Sequence, residues 1–308
     1  MGILDNRVAV ITGGGRGIGA ALARAFAQEG AAVVVNDLGT APDGVGGDKS
    51  PVHEIVEEIR AAGGQAIADD GDIADVATGR RLVETAVDEY GKLDVLVNVA
   101  GILRDRMIFN LPEEDWDAVI RVHLKGHYST VRPAAAYFRE QRDPGGNYRI
   151  INFTSVSGLQ GSPGQPNYAA AKMGIVGLTY SLAQGLSRYG VTANAIAPGA
   201  ATRLVATIPS TRRPGGDGAP AVAPIDMSPD NIAPLALYLA SERSSWLTGR
   251  TLSAQGYEVG LYANPVEIAK VAGDRPWQFE NLATEIEGSF RPLADGLPPS
   301  IFAAQLGH

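Results

Sequence analysis

Residues Arg7–Gly19 read RVAVITGGGRGIG and continue into an alanine-rich segment over residues 20–28. The β-branched run Arg7–Thr12 predicts a buried strand. The glycines after it have the spacing that allows a tight turn and a close approach to a pyrophosphate, while the N-terminus of a following helix offers free N–H groups to the anion. The stretch therefore predicts a dinucleotide site rather than a merely flexible turn. Its candidate residues are Gly13, Gly15, Arg16, Gly17, Ile18 and Gly19.

Outward from this stretch, short apolar runs alternate with longer amphipathic ones, which predicts an α/β fold. Several runs are almost wholly apolar, as in parallel strands that are buried on both faces. We therefore expect a single-domain, doubly wound, Rossmann-like parallel sheet of about seven strands with helices on both faces, a core over about residues 4–261 and a C-terminal extension over 262–308. The predicted strands are Arg7–Thr12, Ala32–Asn36, Gln65–Ala68, Leu93–Asn98, Tyr148–Phe153, Val191–Ala197 and Thr251–Ser253.

Two irregular segments interrupt this pattern, Gly39–Ser50 and Pro209–Pro229. Both are rich in glycine or proline, and long loops of this kind are usually functional or disordered. We expect Pro209–Pro229 and the tail to close over a substrate.

Composition excludes several classes of protein. The 308 residues carry 26 basic and 34 acidic side chains, a net charge of −8, and no cysteine. The acidic balance argues against a nucleic-acid binder, and the lack of cysteine excludes disulfides and cysteine-ligated metal sites. No metal site is expected, and His53 and His127 are interpreted as ordinary polar positions. With neither a signal-peptide pattern nor a long apolar run, we expect a cytoplasmic protein without a membrane partner.

An acidic residue follows the second predicted strand. Asp37 lies 18 residues after Gly19, where a carboxylate accepts hydrogen bonds from an adenosine ribose. The same charge repels a 2′-phosphate, so NAD is favoured over NADP as the cofactor. Arg16 is a counter-signal, because a cation in the glycine loop suits such a phosphate. The alternative for Asp37 is that it only caps the following turn.

Tyr168 and Lys172 are separated by one helical turn and therefore share a helix face. A neighbouring cation favours the phenolate form and so lowers a phenol pKa, which makes tyrosine usable as an acid or base. Ser155 ends a strand 13 residues upstream, at the sheet edge where open α/β folds bind ligands. Taken alone, the tyrosine–lysine pair is also typical of an exposed helix face.

In order and spacing, these motifs resemble the short-chain dehydrogenase/reductase family over Leu4–Gly256. The likeness rests on TGGGRGIG at Thr12–Gly19, NVAG at Asn98–Gly101, Ser155, Tyr168 with Lys172, and Pro198-Gly199. Within the family, the chain is most similar to the hydroxyacyl-CoA dehydrogenase domains of the multifunctional type 2 enzymes. That closer likeness rests on VVVNDLG (Val33–Gly39), GILRDRM (Gly101–Met107) and RVHLKG (Arg121–Gly126).

The resemblance implies roles for particular residues. Tyr168 would be the general acid/base, Ser155 would orient the reacting oxygen, and Lys172 would hold the nicotinamide ribose and lower the pKa of Tyr168. His123 stands where the family usually has an asparagine that holds a proton-relay water, and it would take part in that relay or only pack. Further cofactor contacts would come from Asp72, Ile73, Asn98, Ala100, Gly101, Pro198, Gly199 and Thr202.

The resulting hypothesis is an NAD-dependent oxidoreductase, a homodimer or homotetramer, that interconverts a secondary alcohol and a ketone. The expected substrate is a 3-hydroxyacyl-CoA or a hydroxysteroid. One alternative is a dehydrogenase of another secondary alcohol, such as a terpenoid or an aromatic ketone. The other is a dinucleotide-binding protein without catalysis, against which the intact Ser155, Tyr168 and Lys172 argue.

Overall fold

The computed structural model describes residues 2–200 and 226–298. The chain divides into two compact units, Met1–Tyr262 and Ala263–His308. The first unit contains the sheet, and the second contains the helices Phe279–Ser289 and Arg291–Ala294. The predictions of a single domain and of a covering tail stay predictions. Thr202 and most of the Pro209–Pro229 loop lie outside the described residues.

The sheet has eight strands in the order β3-β2-β1-β4-β5-β6-β7-β8. Neighbouring strands from β3 to β7 run parallel, and β8 pairs antiparallel with β7. All seven predicted strands are confirmed to within two or three residues at their ends. The strands are β1 (Val8–Thr12), β2 (Ala32–Asn36), β3 (Gln65–Asp69), β4 (Val95–Asn98), β5 (Tyr148–Phe153), β6 (Val191–Gly199), β7 (Arg250–Gln255) and β8 (Glu258–Leu261).

The expected number of strands, about seven, omits β8. This strand follows β7 after a two-residue turn, because Gln255 pairs with Glu258, and Gly256 in that turn has a φ of +54°. It has only four residues, none of them buried, so it lacks the continuous apolar run by which the parallel strands are recognised.

The helices lie in the connections between strands, except for the last two, which follow the last strand. The insert Gly39–Ser50 is confirmed as a loop after β2, and the next helix begins at Ser50. The helices are α1 (Gly17–Gln28), α2 (Ser50–Ala61), α3 (Val76–Tyr90), α4 (Glu113–Ile120), α5 (Gly126–Gln141), α6 (Val156–Gln160), α7 (Pro166–Leu186), α8 (Ala233–Ala240), α9 (Phe279–Ser289) and α10 (Arg291–Ala294).

Both faces of the sheet are buried, as the doubly wound prediction requires. Side chains along β1 alternate between two cores, because successive residues of a strand point to opposite faces. Ala9 and Ile11 belong to the core that includes α1, α2 and α8. Val8 and Val10 belong to the core that includes α3 and α5. This explains why the strand is apolar from Val8 to Ile11.

Among residues 2–200 and 226–298, no helix is both long and apolar enough to cross a membrane.

Candidate active site

The glycine loop joins β1 to α1 as the sequence predicts. Gly13 and Gly17 have φ values of +66° and +54°, in the left-handed region that favours glycine. A Cβ on Gly13 would lie 2.7 Å from the Cα of Ala100, and one on Gly19 would overlap the carbonyl group of Gly13. The loop therefore packs against the end of β4 too closely for side chains at these positions.

The Asp37 carboxylate closes the glycine loop from the end of β2. Its Oδ2 accepts the N–H of Gly15 at 2.9 Å, and its Oδ1 accepts the N–H of Gly39 at 2.7 Å. An ionised carboxylate offers about four acceptor positions, so roughly two remain for the hydroxyls of a ribose. Asp37 thus caps the following turn, as the alternative interpretation has it, and still has capacity for a ligand.

Arg16 precedes α1 and points to the insert. Its guanidinium lies 3.3 Å from the carboxylate of Asp48. Because both side chains are partly exposed, this ion pair contributes little to stability. It does direct the guanidinium of Arg16 toward the insert. Ile18, in the first turn of α1, packs against the core. A cleft of about 430 Å³ lies beside this pair and is lined by Arg16, Gly39, Ala41, Pro42, Val45, Gly46, Gly47 and Asp48.

Asp72 and Ile73 follow β3, at the position where the resemblance implies adenine contacts. The carboxylate of Asp72 binds Arg121 at 2.6 Å and accepts the N–H of Ala74 at 2.9 Å. Ile73 is buried in the core with α3 and α5. Asp72 therefore links the segment after β3 to the helix that carries His123, a contact that the sequence did not indicate.

Asn98 ends β4 and is buried within a chain of polar side chains. Its Oδ1 accepts from the Thr130 hydroxyl at 2.7 Å, and its Nδ2 donates to the Oδ1 of Asn152 at 3.1 Å. Asn152 in turn donates to the Thr179 hydroxyl at 3.0 Å. Because buried polar groups are costly unless they are hydrogen-bonded, this chain ties β4 and β5 to α5 and α7 beneath the site. The role of Asn98 toward the cofactor stays a prediction.

Ser155, Tyr168 and Lys172 meet at the carboxyl end of β5. The side chain of Ser155 caps α6 and accepts the N–H of Ser157 at 3.2 Å. It also lies close enough to the Tyr168 hydroxyl to lower the pKa of that phenol. The ammonium of Lys172 lies 5.5 Å from the centre of the Tyr168 ring and donates to the carbonyl of Phe153 at 2.6 Å. The structure thus brings together the three residues that the sequence predicts.

The pKa shifts of this group differ from the expectation. Burial raises the pKa of Tyr168 to about 12, and the Ser155 hydroxyl offsets only part of that rise. Burial also lowers the pKa of Lys172 to about 7. The expected lowering of the Tyr168 pKa therefore does not occur in this structure, because desolvation of the phenol outweighs the contribution of Ser155 and the charge of Asp105 raises the pKa further. At neutral pH Tyr168 holds its proton.

The depressed pKa of Lys172 predicts a pH-dependent stability. Unfolded lysine has a pKa near 10.4, so between about pH 7 and 10 the unfolded chain binds one more proton than the folded chain. The free energy of unfolding then rises with pH across this window, by up to about 1.4 kcal/mol per pH unit. We expect urea unfolding curves to show this rise for the unmodified chain and to lose it in Lys172→Met.

The matched control is Lys270→Met, because Lys270 is exposed. It should keep the pH dependence of the unmodified chain. The comparison begins at pH 7 because His123 and His127, with pKa values lowered by burial, add a slope of the same sign below pH 6.5. An equal slope in Lys172→Met and the unmodified chain would show that Lys172 is not the group that titrates.

His123 lies in a π-helical turn, Arg121–Lys125, between α4 and α5. Such turns are frequent at functional sites. The ring meets the Tyr168 ring edge-on at 5.1 Å, and its Nε2 lies 2.8 Å from the carbonyl and 3.0 Å from the N–H of Ile102. Its Nδ1 is buried without a hydrogen-bond partner among the described residues. A Cβ on Gly101 would clash with the ring, so this glycine makes room for His123.

His127 is one turn further along and is not an ordinary surface position. It is 2% exposed, and burial lowers its pKa to about 3. Its Nδ1 lies 2.6 Å from the carbonyl of His123, which accepts a hydrogen bond, so the Nδ1–H tautomer is favoured. The interpretation of His127 as an ordinary polar position did not include its burial, which depends on the packing of α5.

Four further polar residues near Tyr168 were not among the predicted site residues. The Ser157 hydroxyl donates to Gln165 at 2.9 Å, and Gln165 donates to the carboxylate of Asp105 at 2.9 Å. The negative charge of Asp105 contributes to the raised pKa of Tyr168. Asn167 is fully buried directly before Tyr168. The only feature of the sequence that could have indicated these residues is their proximity to the motifs quoted above.

The remaining predicted contacts lie at the ends of β4 and β6. The N–H groups of Val99 and Ala100 donate to the Thr12 hydroxyl at 3.1 and 3.3 Å, which joins the end of β4 to that of β1. Pro198 and Gly199 are the last residues of β6, paired with the end of β7. The candidate residues thus collect at the carboxyl ends of adjacent parallel strands, near β1 and β4, where the strand order reverses and where such sheets bind ligands.

A family model described as short chain dehydrogenase matches residues 7–212. The chain belongs to the short-chain dehydrogenase family, and it is accordingly an oxidoreductase that uses a nicotinamide dinucleotide. It is 40% identical to the hydroxyacyl-CoA dehydrogenase ChsB1 of Mycobacterium tuberculosis, over 96% of this chain and 91% of that protein.

Two other comparisons agree with this assignment. The chain is 42% identical to the peroxisomal multifunctional enzyme type 2 of Mus musculus over 77% of its own length, but it spans only 30% of that relative. A crystal structure of a short chain dehydrogenase from Mycobacterium avium superimposes with a TM-score of 0.82 and 42% identity, covering 97% of this chain and 99% of the other. The predicted fold class and family are confirmed.

Proposed function

We propose that the chain is an NAD-dependent dehydrogenase that interconverts the hydroxyl and keto groups of a 3-hydroxyacyl-CoA thioester. The observation that carries this proposal is the meeting of Ser155, Tyr168 and the buried Lys172 at the sheet edge that also holds the glycine loop. The substrate class is supported by the relative named hydroxyacyl-CoA dehydrogenase, whose likeness extends over nearly the whole chain.

The residues present fit a nicotinamide dinucleotide. The glycine loop carries no side chain at Gly13, Gly15, Gly17 and Gly19, so a pyrophosphate can approach its backbone closely. Lys172 has three N–H donors, of which the Phe153 carbonyl takes one, so two remain for ribose hydroxyls. Asp37 retains acceptor positions, and Arg16 is paired with Asp48, which supports NAD over NADP. When bound, the dinucleotide supplies or accepts the hydride.

The chain's own residues move the proton. In ketone reduction, Tyr168 holds its proton at neutral pH and donates it to the carbonyl oxygen, while the Ser155 hydroxyl hydrogen-bonds to the same oxygen. In alcohol oxidation the alcohol proton passes to the Tyr168 oxygen, which must first be ionised. The buried ammonium of Lys172 favours that ionised form when it is charged, and the Nδ1 of His123 offers a polar atom for a relay water.

The cofactor preference is tested with Asp37→Ala. We expect the Kd for NADH to rise about tenfold, because a hydrogen bond to a charged group is lost. The Kd for NADPH should rise less or fall, because the repulsion of the 2′-phosphate is removed. Fluorescence titration measures both constants. Asp88→Ala, which removes an exposed carboxylate on α3, is the control and should change neither. Equal losses for the two dinucleotides would contradict a ribose contact by Asp37.

The substrate class is tested by following NAD reduction over a panel of 3-hydroxyacyl-CoA thioesters, hydroxysteroids, and terpenoid and aromatic secondary alcohols. We expect the 3-hydroxyacyl-CoA thioesters to be oxidised with a higher kcat/KM than the other alcohols in the panel. A clear preference for another class would replace the proposed substrate. NADH binding without turnover of any alcohol would instead support a non-catalytic dinucleotide-binding protein.

For localisation and oligomeric state, we propose a cytoplasmic homodimer or homotetramer. This proposal rests on the family resemblance. Light scattering coupled to size-exclusion chromatography measures the number of subunits.

A further inference from the structure

The segment Ile102–Asp105 follows β4, and each of its residues contacts a different part of the site. The N–H and carbonyl of Ile102 meet the Nε2 of His123, as described above. The N–H of Leu103 donates to the carbonyl of Pro42, in the insert after β2, at 2.9 Å. The side chain of Asp105 accepts from Gln165, just before α7. We call Ile102–Asp105 the connecting segment.

Arg104 of the connecting segment makes hydrogen bonds to three other parts of the chain. Its Nε donates to the carbonyl of Asp43 in the insert at 2.8 Å, and its Nη1 donates to the carboxylate of Asp115 on α4 at 3.0 Å. Its own carbonyl accepts from the Nδ2 of Asn167 at 3.0 Å. The side chains of Arg104 and Asp115 are 24% and 18% exposed, so this ion pair is largely shielded from water. A shielded, geometrically fixed pair orders its surroundings more than a surface pair does.

Asn167 transmits this arrangement to Tyr168. It is fully buried, and its Nδ2 also reaches the carbonyl of Asp115 at 3.2 Å. Its Oδ1 accepts the N–H of Tyr168 at 2.8 Å, in the first turn of α7, where N–H groups lack helical partners. The connecting segment and α4 therefore hold the start of α7, the helix that carries Tyr168.

The other end of the path is the glycine loop. Asp37 joins Gly15 to Gly39, where the insert begins, and the carbonyls of Pro42 and Asp43 join the insert to the connecting segment. A glycine-rich loop has high conformational entropy when free, so it needs such anchors to hold one position. Hydrogen bonds thus connect the dinucleotide side of the site to the backbone of Tyr168 by way of Arg104.

We propose that Arg104 is a positioning residue that couples the dinucleotide-binding insert to the start of α7, so that the same side chain supports both dinucleotide affinity and the placement of Tyr168. Loss of its guanidinium removes the hydrogen bond to the Asp43 carbonyl and leaves the Asp115 carboxylate without its ion pair. Both the insert and the start of α7 then become more mobile. This inference rests on the proposed function insofar as the insert faces the dinucleotide.

The experiment compares Arg104→Met with Arg106→Met in the full chain. Arg106 is the matched control, because it is an exposed arginine two residues away whose guanidinium donates to the neighbouring carbonyl of Asp105. Two readouts need no substrate: the Kd for NADH by fluorescence, and amide hydrogen exchange in peptides that cover residues 39–48 and 165–172. Asp115→Asn is a second variant that keeps Arg104 but removes its counter-charge.

We expect Arg104→Met to raise the NADH Kd about tenfold and to speed exchange at least fivefold in both peptides. Asp115→Asn should shift both readouts in the same direction by less, and Arg106→Met should change neither. A faster exchange confined to residues 39–48, or an NADH Kd equal to that of Arg106→Met, would overturn the coupling. If Arg104→Met does not fold, Asp115→Asn decides by the same criteria.

Failure of the proposed function gives a different result. If the unmodified chain does not bind NADH, the proposed cofactor is wrong, whatever the variants do. If it binds NADH normally and Arg104→Met binds it equally well, only the coupling is wrong.

Discussion

Tyr168→Phe should lower kcat by a factor of between about 10² and 10⁴ while it leaves the Kd for NADH within about twofold. The substitution removes one oxygen atom, the atom that gives or takes the proton in either direction, and general acid–base catalysis typically contributes a factor of this size. The ring remains packed against His123, so the fold around it is retained. Steady-state rates with a 3-hydroxyacyl-CoA and NAD, together with NADH titration, measure the two quantities.

Tyr180→Phe is the matched control, because it removes the same oxygen from the same helix three turns further along. Its kcat should equal that of the unmodified enzyme. If Tyr168→Phe kept more than a tenth of the activity, another group would have to carry the proton.

Gly19→Ala should lower both stability and dinucleotide affinity. An alanine in a helix normally stabilises it by up to about 1 kcal/mol relative to glycine. At Gly19, however, the added Cβ would overlap the carbonyl group of Gly13, and backbone cannot move aside as the end of a long side chain can. We expect a loss of about 1–3 kcal/mol in the free energy of unfolding, the usual cost of overpacking. Displacement of the glycine loop should also raise the Kd for NADH at least tenfold.

For Gly177→Ala we expect the opposite effect on the free energy of unfolding. Gly177 is an exposed helical residue of α7, and a Cβ there would meet no atom within 4 Å. This variant should be as stable as the unmodified chain or more stable, by up to about 1 kcal/mol, with unchanged NADH affinity. Urea unfolding of the two alanine variants side by side measures the contrast. If Gly19→Ala were as stable as Gly177→Ala, the backbone of the glycine loop would be able to shift at little cost in free energy.

Several features could be predicted because they depend on neighbours along the chain. The strand Val8–Thr12 followed by Gly13–Gly19 identifies the first βα unit, since apolar runs and glycine spacing are local properties. The four-residue interval places Tyr168 and Lys172 on one helix face. The proximity of Lys172 to the Tyr168 ring follows from this interval.

Other features depend on contacts between distant parts of the chain. The pairing of Asp72 with Arg121 and the burial of His127 have no signature in their own segments. The pKa of Tyr168 was expected to fall and instead rises, because desolvation depends on everything packed around the phenol and not on the lysine one turn away.

The sequence by itself thus determined the strand–glycine–helix unit, the parallel sheet and the placement of Tyr168 and Lys172 on one helix face, since these follow from periodicity and spacing over a few residues. Tertiary structure alone decided that Asn98 supports the site from below, that Gly101 makes room for His123, and that Arg104 joins the insert to α7. The reason is physical: burial and hydrogen-bond partners are set by which segments the fold brings together, and Arg104 and Asp43 are 61 residues apart in the chain.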